Sequence, residues 1–144
     1  MELSVLQNIE SQQEIKNLFS QEATCINFLE ALRWKGDVVS PFDENSRVYE
    51  CSKMRYRCRN SGKYFNVRTN TIFHGSKVTL SKWFEAIWLV WNYPNTNIME
   101  LSRKLDVSPK TAWLMQKRIA RLVEKKPAEP TVGMALTDWL NRLQ

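Results

Sequence analysis

Long apolar runs are missing from this 144-residue sequence, and so are most of the residues from which catalytic and metal sites are assembled. No stretch approaches the roughly 18 consecutive apolar residues that cross a bilayer, which argues against a membrane span. The opening residues, MELSVLQNIESQQE, are acidic and polar and do not read as a secretory signal. Three cysteines, an odd number with no dense framework, suit a reducing compartment better than a disulfide scaffold. The single histidine, His74, has no evident nucleophile beside it, and no pair of carboxylates has metal-ligand character. A soluble cytoplasmic protein that binds rather than reacts is therefore expected.

Acidic charge is also scarce where basic charge is dense. Residues 25–126 hold nineteen Lys and Arg against nine Asp and Glu, whereas residues 1–24 hold one Lys against four Glu. A basic middle interspersed with aromatics suits a polyanion, and nucleic acid is the commonest one. At 43% hydrophobic residues the chain has enough apolar surface for a modest core of one domain or two small lobes.

The apolar spacing divides the chain. Ile9, Ile15, Leu18 and Phe19 can line a short helix. Ser20 can cap a second, with Ala23, Ile26, Phe28, Leu29 and Leu32 inward and Gly36 beyond its end near Trp34. Residues 37–47 are rich in turn formers. Three β-like runs follow, Arg47–Cys51, Arg55–Cys58 and Lys63–Val67, with Arg-Asn-Ser-Gly as a hairpin connection between the last two. So small a sheet needs helices to lean on. Leu80 to Tyr93 reads as a helix buried nearly all round and stopped by Pro94, its tryptophans being core rather than a base-stacking platform. Beyond Pro127 and Pro130, an amphipathic tail carries Met134, Leu136, Trp139, Leu140 and Leu143.

Asn97 to Lys126 is the most informative stretch. Asn97 can cap a helix with Glu100 in the capping-box position and Ile98, Leu101 and Leu105 as its buried stripe. Asp106-Val107 breaks it. Ser108 is a natural N-cap, and Pro109 fits the first position of the next helix. Ala112, Met115, Ile119 and Leu122 mark one face of that helix; Lys110, Leu114, Lys117, Arg118 and Arg121 mark another. Two helices joined by a short turn, the second cationic, form a helix-turn-helix pattern. The fold class is thus α+β: a small antiparallel sheet followed by a three-helix unit.

The run YRCRNSGKYFNVRTNTIFHGSKVTLSKWFEAI, Tyr56 to Ile87, resembles bacterial insertion-sequence transposases that begin with a zinc ribbon and a helix-turn-helix. The similarity extends through Glu100-Leu101, Leu105, Val107, Lys110-Thr111-Ala112-Trp113, Met115 and Arg118-Ile119, and upstream through Cys25, Leu29, Arg33-Trp34 and Gly36. It spans about residues 19–123. The resemblance implies recognition of element ends by this part and strand cutting by a later domain with acidic metal ligands. It also implies a ribbon closed by two Cys-x-x-Cys pairs. Here those pairs fall on Ser40-Pro41-Phe42-Asp43 and Cys58-Arg59-Asn60-Ser61, so a single ligand survives. Asp43, Cys51, Cys58 and His74 match no standard zinc spacing. The ribbon is expected to persist metal-free, held by Phe42, Tyr49, Tyr56, Tyr64, Phe65 and Phe73, with cysteine acting as a small apolar residue. The chain ends where the first catalytic carboxylate would be expected, and Asp138 lies in a helical pattern, so no enzymatic activity is expected of it.

The expected organisation is a ribbon-like unit over 1–78, a helix-turn-helix unit over 79–126, and a linker with tail over 127–144. The expected partner is double-stranded DNA at the bacterial nucleoid, together with a second copy of the chain or an intact transposase. Lys110, Lys117, Arg118 and Arg121 are the expected groove residues, Thr111 is expected to bind DNA beside them, and Ser108 is expected to anchor a phosphate. Arg55, Arg57, Arg59, Lys63 and Arg68 would extend the footprint along the backbone. No cofactor or metal is expected. Two other readings remain: a protein-interaction module using the tail or the Trp-rich helix, and single-stranded RNA binding, which needs Tyr49, Tyr56 and Tyr64 exposed on the sheet.

Overall fold

A computed structural model describes residues 9–34 and 36–123. The expected tail over 127–144, with Asp138 and Trp139, and the side chain of Leu122 lie outside the described residues. Five helices and one three-stranded sheet are described: α1 Gln12–Leu18, α2 Glu22–Trp34, β1 Val48–Ser52, β2 Arg55–Cys58, β3 Tyr64–Phe65, α3 Leu80–Asn92, α4 Ile98–Leu105 and α5 Pro109–Val123. The class is α+β.

Helix α3 is the element on which the others pack. From Trp83 to Trp91 every residue is buried, along with Leu80. A helix buried on all sides must be surrounded, and α1, α2, α4 and α5 all lie against it. Its start is held twice. The Thr79 hydroxyl accepts from the Lys82 N–H at 3.3 Å, and the Glu22 carboxylate, arriving from the first turn of α2, accepts from Leu80 N–H at 2.9 Å. Glu85, buried within α3, accepts from the Gln12 amide at 3.1 Å, and that same amide donates to the Lys104 carbonyl at 2.8 Å. Gln12 therefore ties α1 to α3 and α4.

Two aromatic clusters fill the core. Phe19, Phe28, Phe73, Trp83 and Phe84 meet edge to face, with centroids 4.9–6.2 Å apart. Trp34, Phe42, Tyr56 and Phe65 form the second, between α2 and the sheet. Burial of each large side chain contributes about 1.5–3 kcal/mol. The Tyr56 hydroxyl donates to Glu30 at 2.7 Å, and burial together with that carboxylate pushes the phenol above its usual range. Cys25 sits completely buried in α2, where burial first and the Glu22 charge second push its thiol up to about 12.

The sheet runs β1-β2-β3, antiparallel throughout, with Tyr49 opposite Arg57 and Arg57 opposite Tyr64. The two-residue link Lys53-Met54 turns with Met54 at φ 64°, and the Arg59-Asn60-Ser61-Gly62 connection closes with Gly62 at φ 72° donating to the Cys58 carbonyl at 2.9 Å. Strand β2 alternates exposed and buried residues, so Tyr56 and Cys58 face inward while Arg55 and Arg57 face out. The register carries Tyr49 and Tyr64 outward with Arg57. Both are about half exposed, at 45% and 51%, so the expectation that they hold the ribbon core is corrected, and Trp34 takes that place. The start of α2 is also corrected. It begins at Glu22, with the Gln21 carbonyl receiving the Cys25 N–H, one residue later than a Ser20 cap would set it.

Candidate nucleic-acid interface

The pair of helices expected after Pro94 is present, and each end is set by local chemistry. The Asn97 side chain accepts from the Glu100 N–H at 2.8 Å and starts α4. The Glu100 carboxylate lies 3.4 Å from Lys104 one turn on. Asp106 ends α4 in the left-handed region (φ 54°, ψ 51°). The Ser102 hydroxyl donates to the Val107 carbonyl at 2.6 Å, and the Val107 N–H returns to the Ser102 carbonyl at 3.1 Å, which locks the turn. Lys82 of α3 reaches the Asp106 carbonyl at 2.9 Å. Ser108 then caps α5: its oxygen accepts from the Thr111 N–H at 3.2 Å, and its hydroxyl lies 2.9 Å from that of Thr111.

Helix α5 has two opposite faces. Ala112, Met115 and Ile119 are completely buried against α3 and α4. At 3.6 residues per turn, Lys110, Lys117 and Arg121 fall on the far side with Trp113 and Leu114 among them, and all five are exposed. The fifteen residues of α5 contain no acid. Lys117 holds its ammonium 4.8 Å from the Trp113 ring centroid.

Arg118, expected with that outward set, lies on the flank instead. Its guanidinium donates to the Ile72 carbonyl at 3.0 Å and the His74 carbonyl at 3.1 Å, latching α5 to the 66–78 connection. Arg68 is withdrawn further. It is half-buried and donates to the carbonyls of Phe73 (3.4 Å), Ser76 (3.0 Å) and Val78 (2.9 Å), while burial draws its ionisation down and the Glu22 charge opposes that. Arg68 is thus a strut of the 66–78 segment, and its expected place on the phosphate footprint is corrected on that ground.

Arg55, Arg57, Arg59 and Lys63 are exposed on the sheet and its hairpin. Arg55 stacks on Tyr64 at 4.2 Å, Arg57 donates to the Gly62 carbonyl at 3.4 Å, and Lys63 lies 5.2 Å above Phe42. Of the tyrosines that RNA stacking would use, Tyr56 is buried, Tyr49 is half exposed, and Tyr64 is half exposed with the Arg55 guanidinium 4.2 Å from its ring centroid.

The positions aligned with ribbon ligands do not fit zinc. The Ser40 oxygen accepts from the N–H groups of Phe42 and Asp43, at 3.0 and 3.3 Å, and Asp43 accepts from the Asn60 amide at 2.8 Å. Ser40 and the Asp43–Asn60 contact thus close this corner by hydrogen bonding, with none of the thiolates a tetrahedral zinc site would need. Cys58 is completely buried. Burial alone would raise its thiol, but hydrogen bonds from the Ser40, Ser46 and Ser61 hydroxyls and from the Ser61 backbone outweigh it and hold it at about 6. His74 accepts from the Asn70 N–H at 2.9 Å, and Cys51 stands exposed beside the Tyr49 carbonyl. Among the described residues, no three His, Cys, Asp or Glu side chains are placed to hold a metal together. Among them also, no helix is long and apolar enough to cross a membrane.

The arrangement is that of a small α+β protein with one helix presenting a cationic, acid-free outer face. In sequence, the chain is similar to a protein of Halobacterium salinarum described as an uncharacterized protein in transposable element ISH50, with 32% identity over 110 residues. The match takes in 74% of this chain but only 37% of the relative, so the chain spans well under half of that protein's length. No protein-family model matches the chain, and no solved structure matches it. The similarity associates the chain with insertion elements.

Proposed function

We propose that this chain is a duplex-DNA-binding unit of an insertion-element protein, related to transposases that carry a ribbon and a helix-turn-helix ahead of their catalytic domain. One observation carries the reading: the side of α5 opposite Ala112, Met115 and Ile119 displays Lys110, Lys117 and Arg121 without a carboxylate on the helix. Helix α5 enters the major groove in this reading, while α4 crosses the backbone above it. Lys110, Lys117 and Arg121 read guanine edges or grip phosphate. Ser108 and the N-terminus of α5 approach a phosphate through backbone N–H groups, with Thr111 beside them. Arg55, Arg57, Arg59 and Lys63 lengthen the contact from the sheet. No residue of the chain is assigned strand chemistry; its part is recognition at element ends, and its place is with the chromosome.

The test is a titration of labelled duplex at several salt concentrations. Neutralising about five phosphates gives a slope of log K against log salt near −4 to −5. A flat line would remove the proposal.

A further inference from the structure

The duplex reading assigns work to the cations of α5 but leaves its two large apolar residues unexplained. Trp113 is 48% exposed and Leu114 43% exposed, side by side on the outer face. Single exposed apolar residues are ordinary. An adjacent Trp-Leu pair in the middle of a cationic stripe, on a helix without acids, is a composite surface: apolar at its centre and positive along its length. Lys110 stands one turn before the pair, and Lys117 and Arg121 follow it. Lys117 lies over the Trp113 ring at 4.8 Å, which steadies the indole beside a charge that can reach a phosphate.

A partner must therefore offer apolar groups flanked by anions, at a spacing one helix can span. Duplex DNA does so in the major groove, where each thymine displays a 5-methyl group between two phosphate rails. We infer that Trp113 and Leu114 form a thymine-methyl contact at the centre of α5, making them specificity-determining residues of the interface. The inference rests on the duplex-binding reading and adds to it the chemistry of the base that is read.

Thymine differs from uracil by that methyl alone, so the decisive change can be made in the DNA. A duplex enriched by the full chain from a random pool is resynthesised with deoxyuridine at each thymine in turn, and its affinity is followed by fluorescence anisotropy. Losing one buried methyl should weaken wild-type binding about fourfold at one or two positions and leave the rest unchanged. The Trp113→Ala, Leu114→Ala double variant should bind the thymine duplex more weakly by a similar factor per methyl. It should no longer distinguish thymine from deoxyuridine, and its salt slope should match the wild type. If deoxyuridine is tolerated at every position while binding stays salt-dependent, the thymine contact is wrong and the duplex reading stands. The thymine contact is equally wrong if the double variant still discriminates, since the apolar pair then serves another surface such as a protein. If no duplex is enriched and no salt dependence is found, both readings fail together.

Discussion

Between Asn66 and Val78, one guanidinium holds three backbone carbonyls, whereas along α5 three cations stand on an exposed face turned away from the core. In sequence these are the same kind of residue in the same basic stretch. The difference lies in what the backbone offers nearby. The 66–78 connection turns repeatedly on itself, with the N–H groups of Thr69, Thr71, His74 and Ser76 each bonded three residues back, but those turns do not take up the Ser76 and Val78 carbonyls, and Arg68 supplies their donors. Along the body of α5 the carbonyls are taken up by the helix's own N–H groups, so its outward side chains are not drawn back to them. Net charge cannot separate a strut from a contact; the state of the surrounding carbonyls can. Arg118 stands between the two cases, rooted on α5 and bonded to Ile72 and His74.

Substitutions can break this contrast or sharpen it. The largest effect is expected at Phe73, which is completely buried against Trp83 and Phe84. Phe73→Ala should lower stability by about 3–5 kcal/mol in denaturant unfolding. Arg68→Ala should follow at about 2–3 kcal/mol, because it strands partly buried carbonyls. Wild-type stability in Arg68→Ala would mean that the strut does not exist. Arg118→Ala should cost about 1–2 kcal/mol and alter DNA affinity as well. Lys117→Ala and Arg121→Ala should stay within about 0.5 kcal/mol of wild-type stability while each flattens the salt slope by about one. A large stability loss in either would place them with Arg68 and dissolve the comparison.

A separate signal, read against pH rather than by substitution, comes from the two buried thiols, which titrate in opposite senses. Cys58 is held at about 6 against an ordinary value of 9.0, so from pH 6 to 9 the folded chain has released a proton that the unfolded chain retains. Stability contributed by Cys58 is present above 9 and is lost as pH falls through 6. Cys25, raised to about 12, does the reverse: its contribution is present below 9 and declines as pH rises toward 12. Unfolding curves across pH should rise through the first window and fall in the second. Cys58→Ala should remove the first slope only.

Much of the fold is legible locally. Pro94, Asn97 and the Ser108-Pro109 pair mark the ends of α3, α4 and α5, and the apolar spacing of Ala112, Met115 and Ile119 gives the buried side of α5. The alternation Arg55-Tyr56-Arg57-Cys58 already places Tyr56 inside. What it cannot give is the register that carries Tyr49 and Tyr64 to the opposite face, because pairing is set between strands rather than along one. The duties of Arg68 and Arg118 are hidden for a related reason. A carbonyl has no sequence signature, and Arg118 finds its acceptors 46 and 44 residues away. Leu114 is already legible on the cationic side of α5, and projecting the helix onto a wheel would have added its neighbour Trp113.

The carboxylate of Glu22 has an outcome for assembly. The first free N–H groups of the central helix are met by a side chain 58 residues earlier in the chain, so that helix is fully terminated only after the N-terminal segment has docked. A version trimmed back to the sheet would thus lose more than two peripheral helices; its innermost one would begin with a frayed turn. A shortened chain meant to keep α5 folded should therefore retain the first third of the molecule, although none of the cations assigned to the groove lies there.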